Sequence, residues 1–306
     1  MKLLYFDDFR LGVLDGEDVV DVTSVVEDIP HTGPHDLING LIERFDDYRP
    51  RIEAAIPGGS RTPVSQVRIR PPLPSPTNID CMAVNYMENG TRDAPATINA
   101  FLKSPNAVIG AGDTMVLGDV PATIFEGEAE LALVIGKRAS NVSAADADAH
   151  IFGYVNFIDG SARGLTQGFY QMKSRETFAP IGPYLVTKDE IDDAQNLPVQ
   201  LWVNGDLKQD FNTNDMAHKI PHCVEFVTAI HTLNPGDIIP TGTNHRGLTA
   251  FQDGDLVELE VEGLGRLQID VRDDLKRTWG RETRLERQEA GHDSPTPQLT
   301  GKYSAE

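Results

Sequence analysis

The side chains best suited to chemistry are carboxylates that accompany two strand-like stretches. Residues 126–137 read EGEAELALVIGK. Because alternate side chains of a strand point to the same face, Glu126, Glu128 and Glu130 are predicted to share one face. A second strand-like stretch ends at Asp159. Carboxylates from two strands would form an all-oxygen site for a hard cation such as Mg²⁺. The pattern alone slightly favours the plainer interpretation, an acidic edge strand in contact with solvent.

The composition restricts the partners that this protein is expected to have. The 306 residues include 47 Asp and Glu against 27 Lys and Arg, a net charge of −20. This charge argues against nucleic acid or an anionic membrane as the main partner. No stretch is apolar enough to cross a bilayer, and no secretory signal is recognisable. Cys81 and Cys223 lack metal-ligand and redox spacing, so a reduced, cytoplasmic protein is expected.

The elements that would position the carboxylates belong to a mostly β main body. Its predicted strands are Ile79–Val84, Thr114–Leu117, Ala129–Ile135, Gly153–Ile158, Pro183–Val186, Val199–Val203, Asp237–Pro240, Leu256–Val261 and Leu267–Val271. Helices are predicted over Ala144–His150 and Ile220–His231, and Asn204-Gly205 is typical of a hairpin turn. The lack of βαβ alternation and of a G-x-G-x-x-G motif argues against a doubly wound nucleotide-binding fold.

A small N-terminal α+β domain, residues 1–76, is predicted to precede the main body. Residues 1–25 alternate like antiparallel strands with a turn at Asp15-Gly16. Apolar side chains at helical spacing predict a helix over residues 35–55. Prolines between residues 71 and 76 would form a stiff connector to the rest of the chain.

The predicted division of the chain is completed by a main body over residues 77–280 and a tail. The tail, residues 281–306, is polar and interrupted by prolines and a glycine. It is predicted to be flexible and is given no catalytic role. The predicted fold class is α+β and mostly β.

Eight sequence blocks of the main body, taken together, are specific to one protein family. In order across residues 77–272 they read NIDCMAVNY, FLKSPNAVIGAGD, EGEAELALVIGK, GYVNFIDGSARG, KSRETFAPIGPYLVT, VNGDLKQDFNTNDM, LNPGDIIPTGT and QDGDLVELEVEGLGRL. In these blocks the chain resembles the fumarylacetoacetate hydrolase family, metal-dependent enzymes that act on β-diketo acids and related 2-oxo acids. The resemblance implies a mixed β-sandwich or roll, a small-molecule 2-oxo acid substrate and a homodimer.

The resemblance assigns three metal ligands. The family's E-x-E strand falls on Glu128 and Glu130, and its acid before S/T-A-R falls on Asp159. These three residues thus resemble the ligands of Mg²⁺ (or Mn²⁺). Glu126 lies two residues too early and is interpreted as a neighbour. Three carboxylates suit such an ion and leave open positions where a 2-oxo acid could chelate.

The resemblance also suggests side chains that contact the substrate. Lys173 resembles a catalytic cation for the substrate carboxylate or a developing enolate. Thr243 resembles a hydroxyl that contacts the carboxylate, and Tyr86 and Arg92 are further candidates for substrate binding. Arg163 is a further candidate of this kind, and it resembles a charged neighbour that orients the loop of Asp159.

One departure from the family pattern concerns the acid–base residues. Many hydrolases and decarboxylases of the family carry a lid motif whose His and Glu activate water. Here the His position holds Asn89 and the Glu position holds Arg92, and neither side chain can accept a proton at neutral pH. Asn89 is nevertheless a catalytic candidate. Glu88 is an alternative base, since a carboxylate in a dry pocket can have a raised pKa. His245 is a loop histidine that could replace the missing one.

Three functions stay open from the sequence. The first is a Mg-dependent hydrolase that cleaves a C–C bond in a β-diketo acid, an acylpyruvate or a fumarylacetoacetate-like compound. The second is an isomerase, decarboxylase or dehydratase of a 2-oxo acid or 2-keto-3-deoxy sugar acid. The missing His–Glu pair favours this second group. The third, a non-catalytic oxo-acid-binding protein, is disfavoured because binding alone has little need for a like-charge cluster.

Overall fold

Strands dominate the computed structural model, which describes residues 1–165, 168–293 and 295–304. The strands are β1 (Lys2–Phe6), β2 (Arg10–Asp15), β3 (Asp18–Asp21), β4 (Arg61–Pro63), β5 (Ile69–Arg70), β6 (Asp80–Met82), β7 (Ala100–Leu102), β8 (Val108–Ile109), β9 (Thr114–Val116), β10 (Ile124–Ile135), β11 (Ile151–Arg163), β12 (Ala179–Thr187), β13 (Pro198–Val203), β14 (Asp206–Asn212), β15 (Ile238–Pro240), β16 (Leu256–Val261), β17 (Arg266–Arg272), β18 (Thr278–Trp279) and β19 (Gln298–Thr300). The helices are α1 (Pro34–Glu43), α2 (Phe45–Ala55), α3 (Phe169–Lys173), α4 (Ile220–Ile230) and α5 (Arg284–Glu289).

Most strands belong to two sheets. The larger sheet has ten strands in the order β15-β10-β11-β12-β1-β2-β3-β4, with β5 beside β1 and β8 beside β12. The smaller has five strands in the order β14-β13-β16-β17-β9. This architecture confirms the predicted mostly β, α+β fold. Within the described part of the chain, no helix has the length and apolar character to cross a membrane.

The central strand β10 is buried along its whole length because both of its faces are covered. On one face, Leu131 and Leu133 share a core with residues of the smaller sheet such as Leu259. On the other face, Ala132 and Val134 belong to a second core that includes the apolar sides of α1 and α2. Side chains alternate along a strand, so the glutamates of β10 lie on this second face, within the protein.

The N-terminal strands extend the same sheet that contains β10. Strand β1 pairs antiparallel with β12, with Leu3 opposite Leu185, and β2 to β4 follow outward. Strand pairing therefore crosses the connector that was expected to separate two domains. The division into residues 1–76 and 77–280 stays a prediction.

The helical region near the N-terminus consists of two helices rather than the single predicted one. Helix α1 ends at Glu43 and α2 begins at Phe45, with Arg44 outside helical geometry between them. Asp46 and Asp47 then lie in the first turn of α2. Acidic side chains are favoured there by the helix dipole, which supports a new helix start at this point.

The C-terminal residues differ from the flexible tail that the sequence suggested. They contain α5 and the short strand β19, which pairs with β18. The guanidinium of Arg281 binds both oxygens of Asp255 at 2.7 Å, and Arg284 binds Glu126. These carboxylates lie far away in the sequence, so composition alone could not reveal the attachment.

Gly127 allows β10 to approach Phe251, and its replacement by alanine is expected to destabilise the protein. A Cβ at Gly127 would lie 2.3 Å from Phe251 Cε2, and Phe251 is fully buried. Overpacking of this kind costs about 1–3 kcal/mol of unfolding free energy. Denaturant unfolding should show this loss for Gly127→Ala, whereas Gly58→Ala, where a Cβ would meet open space, serves as the control. Equal stability of both variants would contradict the packing argument.

Candidate metal centre and active site

Three buried carboxylates meet on β10 and β11. Glu128 lies directly opposite Asp159 in the antiparallel register, and Glu130 follows on the same face of β10. One ligand oxygen from each residue lies within 4.8 Å of the others. All three residues are buried, so the solvated acidic edge strand that the pattern alone slightly favoured is wrong.

Two buried lysines lie against this triad. Lys173 Nζ donates to Glu128 Oε1 at 2.8 Å and to Asp159 Oδ2 at 2.5 Å. Lys103 Nζ donates to the other Asp159 oxygen at 2.5 Å and to the Gly160 carbonyl at 3.0 Å. Carboxylate oxygens each have two lone pairs, so these contacts leave lone pairs for a cation. The lysines therefore orient Asp159 without using all of its capacity to bind a metal.

Glu130 is the carboxylate that most clearly lacks a counter-charge. Its Oε2 accepts a hydrogen bond from the Gly242 N–H at 2.8 Å, and Gly242 has a positive φ of 89°. Its Oε1 is buried and has no hydrogen-bond partner among the described residues. Burial, followed by the charges of Asp159 and Glu128, raises the pKa of Glu130 well above its usual range. An ion bound here would remove both costs, so the all-oxygen triad fits Mg²⁺ or Mn²⁺.

Glu128 is held in its ionised form. Burial opposes its ionisation, but the charges of Lys173 and Arg163, together with His245 when it is protonated, outweigh burial and hold the pKa of Glu128 well below the usual range. Arg163 Nη2 donates directly to Glu128 Oε1. The sequence predicted that Arg163 orients the Asp159 loop, whereas its hydrogen bonds in the structure go to Glu128 and Glu126.

Glu88 and His245 form a pair beside the triad. His245 Nδ1 lies 2.8 Å from Glu88 Oε1, and Arg92 Nη2 donates to the same oxygen at 3.2 Å. Burial of Glu88 opposes ionisation, but the contacts with His245 and then Arg92 lower the pKa of Glu88 overall. The raised pKa considered for this residue is therefore wrong in direction, because the contacts with His245 and Arg92 outweigh the effect of burial.

Backbone geometry places the side chains of Glu88 and Asn89 in different environments. Glu88 and Asn89 have φ values of 59° and 56°, a region that non-glycine residues seldom occupy. Through this turn the Glu88 side chain becomes buried, whereas Asn89 is exposed. The Asn89 N–H donates to Asp215 at 3.0 Å, and its side-chain oxygen lies 3.4 Å from Asn244 Nδ2. Asn89 thus stabilises the loop rather than facing the triad.

Tyr86 and Thr243 are both buried close to Glu130. The Tyr86 ring packs edge-on against Phe211, with 5.0 Å between centroids. Burial and then the charge of Glu130 raise the pKa of Tyr86 well above its usual value. Thr243 Oγ1 accepts from Gln209 Nε2 at 2.8 Å, one residue after the glycine that binds Glu130. Both predicted substrate contacts therefore lie near Glu130, and their contact with a substrate stays a prediction.

An open cavity of about 520 Å³ adjoins the Glu88–His245 pair. Its ionisable lining residues are Glu88, Asp293, Arg92, Arg246, Arg284, His245 and His292. The three arginines outnumber the two carboxylates here, although the whole chain is strongly acidic. The C-terminal segment supplies one wall of this cavity, including Leu285 and Gln288.

Two residues of this region were not identified from the sequence. Lys103 lies in the block FLKSPNAVIGAGD, and a lone lysine next to apolar residues is a signal that could have indicated a buried charge. Arg284 lies in the polar tail and carries no comparable signal. Its partner Glu126 was left out of the site because only the triad matched the family pattern.

The comparison with known families agrees with this geometry. Residues 78–272 match the family model described as fumarylacetoacetate (FAA) hydrolase C-terminal. The chain belongs to the fumarylacetoacetate hydrolase family. The chain is therefore a metal-dependent enzyme of this family, as the sequence blocks implied. The match covers β6 to β17 and so includes the triad, Lys173 and His245.

Individual members of the fumarylacetoacetate hydrolase family differ in their reactions. A maleylpyruvate hydrolase of Aquipseudomonas alcaligenes is 33% identical over 288 residues, 89% of this chain and 99% of that protein. The crystal structure of a maleylpyruvate hydrolase from Sphingobium sp. SYK-6, in complex with manganese (II) ion and pyruvate, is 36% identical with a TM-score of 0.82. It covers 89% of this chain and 99% of its own. The oxaloacetate tautomerase YisK of Bacillus subtilis is 35% identical, covering 68% of this chain and 74% of its own.

Proposed function

We propose that this protein is a Mg²⁺- or Mn²⁺-dependent hydrolase that cleaves the C–C bond of an acylpyruvate. The observation that carries the proposal is the Glu88–His245 pair beside the buried triad. A tautomerase or decarboxylase needs a metal and one base, whereas hydrolysis also needs an activated water. A histidine oriented by a carboxylate is suited to that task.

The metal would be held by Glu128, Glu130 and Asp159. When bound, it would act as a Lewis acid that binds the 2-oxo acid end of the substrate and stabilises negative charge there. Lys173 contacts two of these carboxylates and has a raised pKa, because the charges of Asp159 and Glu128 outweigh the effect of burial. It therefore stays cationic and would stabilise an enolate as it develops.

The Glu88–His245 pair would activate water. The contact between His245 Nδ1 and Glu88 fixes the ring so that Nε2 can accept a proton from a water molecule. The water oxygen then bonds to the distal carbonyl carbon, and the C–C bond to the pyruvate moiety breaks. Its electron pair forms the pyruvate enolate, which takes the proton back on carbon. The products are pyruvate and a carboxylic acid.

The cavity beside this pair would receive the acyl group. Its arginines Arg92 and Arg246 can bind a carboxylate at the far end of the acyl chain. An acyl group that ends in a carboxylate, as in maleylpyruvate, therefore fits better than a neutral one. The two maleylpyruvate hydrolases that resemble this chain along nearly their whole lengths support the same choice.

The second candidate is tautomerisation or decarboxylation of a short 2-oxo acid. The observation that favours it is the occupation of the usual His and Glu positions of the lid by Asn89 and Arg92. The likeness to an oxaloacetate tautomerase also supports it.

A substrate panel distinguishes these candidates. The purified protein with Mn²⁺ is incubated with maleylpyruvate, acetylpyruvate, oxaloacetate and a 2-keto-3-deoxy sugar acid, with a chelator as the metal-free control. We expect kcat/KM for maleylpyruvate to exceed that for acetylpyruvate by about tenfold or more, the value of a charge-assisted hydrogen bond. Turnover of oxaloacetate or the sugar acid alone would reject the hydrolase proposal.

A further inference from the structure

The buried carboxylate of Glu126 links the C-terminal segment to the metal centre. We propose that Arg284 is a positioning residue for the metal ligand Glu128, acting through Glu126 and Arg163. This inference rests on the proposed metal-dependent function. It assigns a role to a C-terminal residue outside the 78–272 region that matches the family model.

The contacts form a continuous chain of charges. Arg284 Nε donates to Glu126 Oε1 at 2.9 Å and its Nη2 donates to Oε2 at 2.5 Å. Arg163 Nε donates to the same Oε2 at 2.9 Å, and Arg163 Nη2 donates to Glu128 Oε1. The Glu126 side chain is completely buried between the two guanidinium groups.

The geometry of the guanidinium group explains why Arg284 matters for Glu128. A free arginine binds a carboxylate through two parallel hydrogen bonds. Here Arg284 makes the bidentate contact with Glu126, so Arg163 uses only Nε on that carboxylate and keeps Nη2 for the metal ligand. Without Arg284, Glu126 Oε1 loses its partner, and Arg163 can turn to bind both oxygens of Glu126. Glu128 would then lose the contact that orients it.

The local structure holds Arg284 in place. Helix α5 begins with a capping box in which Thr283 and Glu286 satisfy each other's backbone N–H groups. The Arg284 N–H donates to the Leu248 carbonyl at 2.9 Å, directly after the turn that carries His245. Arg284 is therefore attached both to Glu126 and to the segment that follows His245.

Arg281 provides a matched control within the same segment. It also forms a bidentate ion pair, with Asp255, but neither residue contacts Glu126, Arg163 or Glu128. Loss of Arg281 weakens the attachment of the C-terminal segment and leaves the chain of charges to the metal ligand intact.

The test measures Mn²⁺ affinity by calorimetry and by electron paramagnetic resonance for wild type, Arg284→Met, Arg284→Lys and Arg281→Met. We expect Arg284→Met to bind Mn²⁺ about 10–100-fold more weakly, as is usual when a group that orients a ligand is lost. Arg284→Lys should show a smaller loss, because lysine keeps the charge but cannot bind both oxygens. Arg281→Met should bind Mn²⁺ like wild type.

Each outcome bears on one claim. Wild-type affinity in Arg284→Met, or an equal loss in Arg281→Met, overturns the positioning role of Arg284. If Arg284→Met does not fold, Arg284→Lys decides, and unchanged affinity in that variant overturns the role. A wild-type protein that binds no Mn²⁺ would instead overturn the proposed function itself.

Discussion

Replacement of Glu130 by glutamine is expected to weaken Mn²⁺ binding by at least about 100-fold and to abolish turnover. This loss exceeds the one expected when a residue that only orients a metal ligand is replaced. Glutamine preserves the shape of the side chain but removes the charge of the triad carboxylate whose buried Oε1 has no partner among the described residues. Metal affinity should be measured by calorimetry, and activity at saturating Mn²⁺.

Thermal unfolding separates this loss from misfolding. An ionised Glu130 with a raised pKa costs stability as the pH rises above the carboxyl pKa of the unfolded chain. The uncharged glutamine should therefore leave the Tm of the metal-free protein unchanged or higher at neutral pH. At a metal concentration 100 times the wild-type Kd, wild type should gain about 2.7 kcal/mol, and Glu130→Gln should gain at most about 0.4 kcal/mol.

The exposed Glu262 supplies the control for this experiment. It lies outside the site, after the end of β16, so Glu262→Gln should retain both metal binding and activity. If Glu130→Gln binds Mn²⁺ like wild type, the metal centre lies elsewhere in the chain.

Replacement of His245 by glutamine is expected to lower kcat by about 10²–10⁴-fold, the contribution of a general base. Glutamine can keep a hydrogen bond to Glu88 but cannot accept a proton. Because His245 contacts Glu88 and none of the triad directly, Mn²⁺ affinity should stay within a few-fold of wild type. A loss in kcat without a matching loss in metal binding would separate the base from the metal ligands.

An exposed histidine of α4 provides the matched control. His222 lies at the surface, and His222→Gln should leave kcat unchanged. Full activity in His245→Gln would show that another group activates water, and Glu88 would become the candidate. Equal losses in both variants would indicate a general effect of histidine replacement rather than a role for His245.

The regular strands could be predicted from the sequence because apolar and polar side chains alternate along their whole length. Leu256–Val261 was predicted with the bounds it has in β16, and Val199–Val203 differs from β13 by one residue. Strand β10 was predicted to begin at Ala129 but begins at Ile124. The reason is that glutamates are usually exposed, and no local pattern shows that Arg163 and Arg284 make the burial of Glu126 tolerable.

The metal ligands of the candidate site could be predicted from the sequence. The acid–base residues could be predicted singly, but their pairing could not. Glu128 and Glu130 lie on neighbouring even positions of one strand, which is a local pattern. Glu88 and His245 were singled out separately, but their pairing joins residues 157 positions apart. Lys103 could not be placed in the site without coordinates, because its contact with Asp159 joins residues 56 positions apart.

The most direct test of C–C bond hydrolysis is a single turnover of maleylpyruvate by the Mn²⁺-loaded protein in ¹⁸O-labelled water. The products are quantified by mass spectrometry. Hydrolysis predicts pyruvate and maleate in equal amounts, with at least one ¹⁸O in the new carboxylate of maleate. Recovery of an isomer of the substrate, or release of CO₂ without maleate, would contradict the hydrolase function.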